Sequence, residues 1–324
     1  MMPIEANTFY SDTSGDTPAI SVVTSVYRSE SFLPSFIEQI ESTIREIGIA
    51  KYELIFVNDG SPDASLEYLV EAREQNQRIK IVDLSRNFGH HKALIAGLAH
   101  ARGELTFLID CDLEVAPNVL EQFVSTMKRN DVDAVYGFQE QRKGGIWERV
   151  TGQTFWWLFN QLSHTAIPPN VLTERLLTRR YVDALLSLGD RNIFLGGMMY
   201  WSGFAQLGIP IRKSQRQSKS SYSFIKKLSI FTEAITSFSA APLHAILLLG
   251  VLITSGACLA AIYLVFLKLA SPAQIVSGYT SLMLAVLGMG GLVVTVLGVV
   301  GLYVSHIFVQ TQNRPLYIVR RFLD

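Results

Sequence analysis

Charge is scarce in this sequence, and neither sign outweighs the other. Asp, Glu, Lys and Arg make up 17% of the 324 residues, with 28 basic side chains matched by 28 acidic ones, whereas soluble domains carry about 25%. A formal net charge of zero removes the electrostatic case for nucleic acid as a partner. Cysteine is nearly absent: Cys111 sits between two aspartates and Cys258 inside an apolar run, so no disulfide framework exists. The opening stretch MMPIEANTFYSDTSGDTPAI has neither a basic segment nor an apolar one, and residues 1–19 read as a polar tail rather than a signal peptide. No internal repeat is present. The histidines follow no zinc-ligand spacing. His90 and His91 are neighbours, which do not share a helix face, and they read as loop or cap residues at a helix start. His164, His244 and His306 are scattered and read as structural.

Apolar residues are in excess, at 49% of the chain with a mean hydropathy of +0.26. Leu243 to Leu267 is a run of 25 residues without Asp, Glu, Lys or Arg, and Tyr279 to Val304 is another of 26. Each exceeds the roughly 20 residues that a helix needs to cross about 30 Å of hydrocarbon, so two transmembrane helices are expected over residues 242–304. The connection from Lys268 to Gly278 carries one charge. The outer flanks hold Lys219, Lys226 and Lys227 on one side and Arg314, Arg320 and Arg321 on the other. Basic residues stay inside, which makes the protein a multi-pass protein of the inner membrane with both termini cytoplasmic and residues 305–324 a cytoplasmic tail. Gly288, Gly290, Gly291, Gly298 and Gly301 in the second span would permit close helix contact and hence a homo-oligomer.

The rest is organised differently. From Ile20 to about Tyr136, short apolar runs alternate with helical stretches: ISVVTSV, a helix to about Ile47, YELIFVN, a helix over Leu66 to Glu74, IKIVDLS, a helix over Lys92 to Ala101, and ELTFLID. Such alternation predicts an α/β fold with a mainly parallel sheet covered on both faces, and ligands in such sheets gather beyond the carboxyl ends of the strands. Polar residues concentrate there: Tyr27, Asn58-Asp59-Gly60-Ser61, Ser85-Arg86-Asn87 and Asp110-Cys111-Asp112. Two carboxylates one residue apart in a turn can aim at one hard cation that bridges to a diphosphate, and Glu114 would add a third oxygen. The plainer alternative is that the aspartates cap a helix beginning near Pro117. Gly60 suits a turn, with Ser61 capping a helix that has Pro62 at its first position.

The ordered set NDGSPD, LSRNFGHHKALIAGLAHARGE, DCDLEVAPNVL and SFSAAPL followed by two spans resembles the family-2 glycosyltransferases that load a sugar onto a polyprenyl phosphate. The resemblance runs from Ile20 to the C-terminus. It implies a GT-A catalytic domain over 20–222, with acceptor and interface region from about 140, and an amphipathic interface helix over 223–241. It also implies Mg²⁺ or Mn²⁺, a nucleotide-sugar donor with a UDP-sugar favoured, a polyprenyl phosphate acceptor and inverting transfer; because two short spans form no evident path for a sugar head group, a separate flippase is expected downstream. By resemblance Tyr27, Asn58 and Asp59 hold the nucleoside side of the donor and Asp110 and Asp112 the metal and diphosphate. Arg86 lines the site, Arg142 approaches the acceptor phosphate, and Arg216, Lys219 and Tyr222 belong to the loop before the membrane. The chain departs from the family's pattern at Ser25 (where proline is usual), Ser29 (acidic), Glu114 (Gln) and Ser218 (Gly). Residues 170–180 match the F-R-L-x-x-R region in part, through Arg175 and Arg179.

The acceptor's phosphate is already anionic near neutral pH, so positioning and charge stabilisation matter more than a strong base; Asp112 as a base is the lesser role. Two stripes suit an interfacial position: Trp147, Phe155, Trp156, Trp157 and Phe159, and Phe224, Leu228, Phe231, Ile235 and Phe238 at three- and four-residue spacing. The other reading of both is core-facing helix. A processive polysaccharide synthase is an alternative, but the chain lacks a Q-x-x-R-W motif, Trp201 standing outside that context, and further spans. A non-catalytic membrane scaffold is another, against which Asp59, Asp110 and Asp112 argue.

Overall fold

The computed structural model describes residues 17–139, 168, 170–193, 195–213, 241–270 and 279–324. The chain divides into two compact units. One comprises Met1–Trp156, Ile167–Ser221 and Arg314–Asp324, the other Trp157–Ala166 and Tyr222–Asn313.

The described part of the first unit is built on β1 (Ile20–Val26), α1 (Leu33–Glu46), β2 (Tyr52–Asn58), α2 (Ser65–Gln75), β3 (Ile79–Leu84), α3 (His90–His100), β4 (Leu105–Leu108), α4 (Val119–Asn130), β5 (Ala134–Phe138), β6 (Val171–Thr178), α5 (Arg179–Ser187), α6 (Leu195–Trp201), β7 (Gln206–Pro210) and, after the second unit, β8 (Val319–Leu323). All eight strands form one sheet in the order β7-β5-β6-β4-β1-β2-β3-β8. Its centre, β4-β1-β2-β3, is parallel. The margins mix senses, with β6 antiparallel to β4 and β5 and β8 antiparallel to β3. The central strands are almost wholly buried, as strands covered on both faces require. Helix α1 buries Leu33, Phe36, Ile40, Thr43 and Ile44 on one stripe, with proline in its first turn. Edge-to-face pairs Phe36–Phe56 and Phe107–Phe123 lock α1 and α4 to the sheet.

The expected strands and helices up to β4 appear within one or two residues of where periodicity sets them. Three expectations change. Helix α2 starts at Ser65 rather than at Pro62, because Ser61 turns its hydroxyl to Asp63 (2.5 Å) instead of capping a helix. Helix α4 starts at Val119 without a side-chain cap, so the aspartates near 110 do not cap it. Residues 305–324 are no loose tail, since Thr311 ends a helix and 319–323 form β8 along the edge of β3. That strand is held by the Phe322 ring against His100 (4.8 Å between centroids) and by Asp324, which pairs with Lys80 and with Arg102 at 2.8 Å. An apolar residue on either side of Arg320-Arg321 lets the segment close an otherwise open edge.

The second unit contains α7 (Ala241–Ala270) and α8 (Tyr279–Thr311), which touch one another. At 1.5 Å per residue they are about 45 and 50 Å long. Among the described residues one segment, Gly288–Thr311, is long and apolar enough to cross a membrane by length and composition, and a shorter apolar stretch covers Leu243–Ile253. Leu247, Leu252, Ile262 and Phe266 on α7 and Val294, Leu297 and Ile307 on α8 are all more than 60% exposed.

Candidate functional site

Strand register sets the height of each functional side chain. Val26 lies opposite Asn58, and Asn58 opposite Asp83, so β1, β2 and β3 end level. Strand β4 stops lower, with Leu108 opposite Val23, and the Ile109 N–H donates to the Val23 carbonyl (3.2 Å). The D-x-D turn therefore rises beside Ser25, whose carbonyl accepts from the Cys111 thiol (3.4 Å). Within the turn Leu113 takes φ 58° and the Glu114 N–H donates to Asp112 Oδ1 (3.0 Å). Arg28, whose N–H donates to Ser61 Oγ (2.7 Å), takes φ 55°. Left-handed non-glycine residues carry strain that persists where surroundings impose it, often at sites.

Asp110 Oδ1 is sealed from solvent and makes no hydrogen bond. Burial, then the neighbouring Asp112 carboxylate, raises its pKa above the usual range despite nearby His90, Lys213 and Thr173. A buried anionic oxygen without a donor is costly, and a hard cation would satisfy it; two carboxylates plus substrate phosphate oxygens are a usual Mg²⁺ set. Glu114 does not complete a trio. Its carboxylate pairs with Lys213 (2.5 Å), and among the described residues no group of three or more His, Cys, Asp or Glu is arranged to hold a metal.

The nucleoside-side residues divide. Tyr27 is 43% exposed at the mouth, with the Arg28 guanidinium 5.6 Å from its ring centre. Asn58 is buried, its amide donating to Asp83 (2.8 Å) and its oxygen accepting from the Ser61 N–H, so it props the turn rather than facing a donor. Asp59 is buried too. Its two oxygens accept the Phe88 and Gly89 N–H groups at 2.7 and 2.9 Å, shaping loop 85–89. Gly60, at φ +62°, is required there: a Cβ would sit 2.6 Å from the Arg86 carbonyl carbon and the Asn87 nitrogen. Arg86 is exposed and stacks over Phe88 (4.2 Å). Arg175 is buried, its guanidinium 5.9 Å from the Tyr136 ring, while Arg179 ties α5 to the Ala101 carbonyl and pairs with Asp183 one turn along the same helix. Arg142, Arg216, Lys219, Tyr222 and both aromatic stripes lie outside the described residues.

Motif reading missed four residues. His90 stands at the site, with Nδ1 2.7 Å from Ser25 Oγ and Nε2 3.6 Å from Asp110 Oδ1. Thr173 on β6 lies near Asp110 and acts to lower its pKa, and Lys213 holds Glu114. Glu174, on β6, is 1% exposed with one carboxylate oxygen unpartnered, and burial followed by the charge of Asp110 pushes its pKa up to about 7. Only His90 left a signal, its place after a glycine at a helix start.

The sequence pattern described as Glycosyl transferase family 2 matches residues 21–182. A protein of Mycobacterium tuberculosis (strain CDC 1551 / Oshkosh) named as a glycosyltransferase is 36% identical over 305 residues, covering 93% of this chain and 87% of its own. The SfII prophage-derived bactoprenol glucosyl transferase of Shigella flexneri is 30% identical over 310 residues, covering 93% and 97%. Among solved structures, a mannosyltransferase from Pyrobaculum calidifontis in complex with GDP-Man and Mn²⁺ aligns over 91% of this chain and 86% of its own, at 14% identity and a TM-score of 0.44.

Proposed function

The chain belongs to glycosyl transferase family 2, and on that premise we propose that it moves one sugar from a nucleotide-sugar, a UDP-sugar being favoured, onto a polyprenyl phosphate at the cytoplasmic face of the membrane, with inversion. The observation that carries this reading is the D-x-D turn at the strand ends, where the sealed Asp110 Oδ1 and the neighbouring Asp112 offer a hard-cation site beside an exposed Tyr27. Relatives named bactoprenol glucosyl transferase, 30% identical over 93% of this chain, support the lipid acceptor.

Tyr27 offers a ring face to the nucleoside base, and Asp59 keeps loop 85–89 clear of it. Mg²⁺ or Mn²⁺ on Asp110 and Asp112 would offset negative charge on the departing diphosphate. An acceptor phosphate oxygen forms the new bond to the anomeric carbon as the bond to the nucleoside diphosphate breaks on the opposite face. That oxygen is already anionic, so Arg142, Arg216, Lys219 and Tyr222 have only to hold it in line.

The closing strand bears on topology. The pairing of β8 with β3 in one sheet supports a reading in which β3 and β8 share one side of the bilayer and the crossings between them are even in number. A crossing by α8 alone would strand β8 on the wrong side. Two crossings, by α7 and α8, satisfy the constraint, and the basic flanks put the sheet in the cytoplasm, where nucleotide-sugars are made. The product then needs a separate flippase.

The test is to incubate the purified full-length protein with a panel of nucleotide-sugars, undecaprenyl phosphate and Mn²⁺. Metal-dependent release of nucleoside diphosphate with one sugar per lipid is expected. No release with any donor would refute catalysis, and several sugars per acceptor would point to a processive synthase.

A further inference from the structure

We propose that His90 is a positioning residue for Asp110, held in one tautomer by the Ser25 hydroxyl; the proposal rests on the reading of Asp110 as a metal and diphosphate carboxylate. The backbone at His90 is placed by core packing. Helix α3 lies against β1 and β2 at Gly97, where a Cβ would come within 2.3 Å of Val23 Cγ1 and 3.0 Å of Val57 Cγ2, so only glycine allows this approach. The loop leading into α3 is anchored by the two N–H groups that Asp59 accepts, and Gly89, at φ +100°, turns the chain into the helix. The first helical side chain is thereby delivered to the carboxyl ends of β1 and β4.

Ser25 Oγ and His90 Nδ1 are 2.7 Å apart. When the hydroxyl donates to Nδ1, the ring hydrogen sits on Nε2, since the partner of one ring nitrogen sets the state of the other. Nε2 is 3.6 Å from Asp110 Oδ1, the sealed oxygen that accepts no hydrogen bond. Closing that gap to a normal N–H···O distance of about 2.9 Å takes a side-chain shift of less than about 1 Å. The imidazole N–H then orients the carboxylate for a cation, as hydrogen-bonding partners do for ligating carboxylates generally. Ser25 is joined to the same turn a second way, through the Cys111 thiol on its carbonyl. A proline at position 25, which the family resemblance leads one to expect, has no hydroxyl and could not hold the ring. In this chain the Ser25 hydroxyl and the His90 ring act as a unit.

The experiment measures Mn²⁺ affinity of the full-length protein in detergent by electron paramagnetic resonance, without donor or acceptor, with thermal unfolding as a fold control. Asp110→Asn should lose binding. His90→Ala should weaken it about tenfold or more, within the range of about 10 to 100 for partners of metal ligands. His90→Gln, which can put an amide N–H near the Nε2 position, should recover most of the loss, and Ser25→Ala should weaken binding in the wild type but add nothing to His90→Ala. In the transfer reaction, saturating Mn²⁺ should restore the His90→Ala rate. If Asp110→Asn abolishes Mn²⁺ binding while His90→Ala leaves it unchanged, or if the Ser25 and His90 effects are independent, the proposal is overturned. If Asp110→Asn itself binds Mn²⁺ normally, the reading of Asp110 falls and the proposal with it.

Discussion

Replacing Glu174 by Gln should make the protein more stable at and above neutral pH, by an amount that grows between about pH 4.5 and 7 and is then constant. Glu174 is 1% exposed on β6, and burial, together with the like charges of Asp110 and Asp112, raises its pKa from 4.5 to about 7. The folded state therefore holds this proton more tightly than the unfolded chain does. Below about pH 4.5 the group is protonated in both states and contributes no pH dependence. Between about 4.5 and 7 the unfolded chain ionises first, and stability falls as pH rises. Above the folded pKa the full penalty is reached, which at about 1.4 kcal/mol per pH unit is up to about 3 kcal/mol. Gln cannot ionise and escapes it. For a domain of about 150 to 250 residues, 1 kcal/mol moves Tm by about 2 to 4 °C, so the advantage of Glu174→Gln should widen by roughly 6 to 12 °C between pH 4.5 and 8. The assay is thermal unfolding of wild type and variant in detergent at both pH values, with a chelator present to keep cations off Asp110 and Asp112. A Tm difference that stays constant across this range would refute the assignment of a raised pKa to Glu174.

Asp112→Asn should abolish transfer, by at least about a hundredfold as for lost electrostatic groups in other sites, with its unfolding temperature unchanged and Asp110→Asn nearly as severe in activity; retained, still metal-dependent activity in Asp112→Asn would contradict the role. Gly60→Ala should cost about 1 to 3 kcal/mol, because its φ is +62° and the added methyl meets Arg86 and Asn87 backbone at 2.6 Å. It should also raise the donor KM as loop 85–89 is displaced, and an unchanged Tm would show that the loop yields freely. With Cys111 and Cys258 replaced, Ser277→Cys should react with an impermeant reagent outside intact cells while Gln312→Cys should not. The reverse pattern would invert the topology and remove access to the donor.

The centre of the fold was legible because its determinants are local. Alternating apolar runs and helical stripes locate β1 to β4 and α1 to α3, and turn residues at the strand ends locate the D-x-D turn, since burial on both faces of a parallel sheet leaves little choice of residue type. Charge-free runs likewise located the two long helices, because their length and composition are properties of contiguous residues. What residues do across the sheet was not legible. Asn58 carries a family motif, yet Asp83, 25 residues away, takes its amide. His90 looked like a helix start until β1 brought Ser25, 65 residues distant, against its ring. Residues 319–323 looked like a tail because the partner that makes them a strand is β3, on the far side of both long helices in sequence. Periodicity reports the surroundings that a segment needs, whereas pairing is decided by which segments the register and helix packing bring together, and only the tertiary structure holds that information.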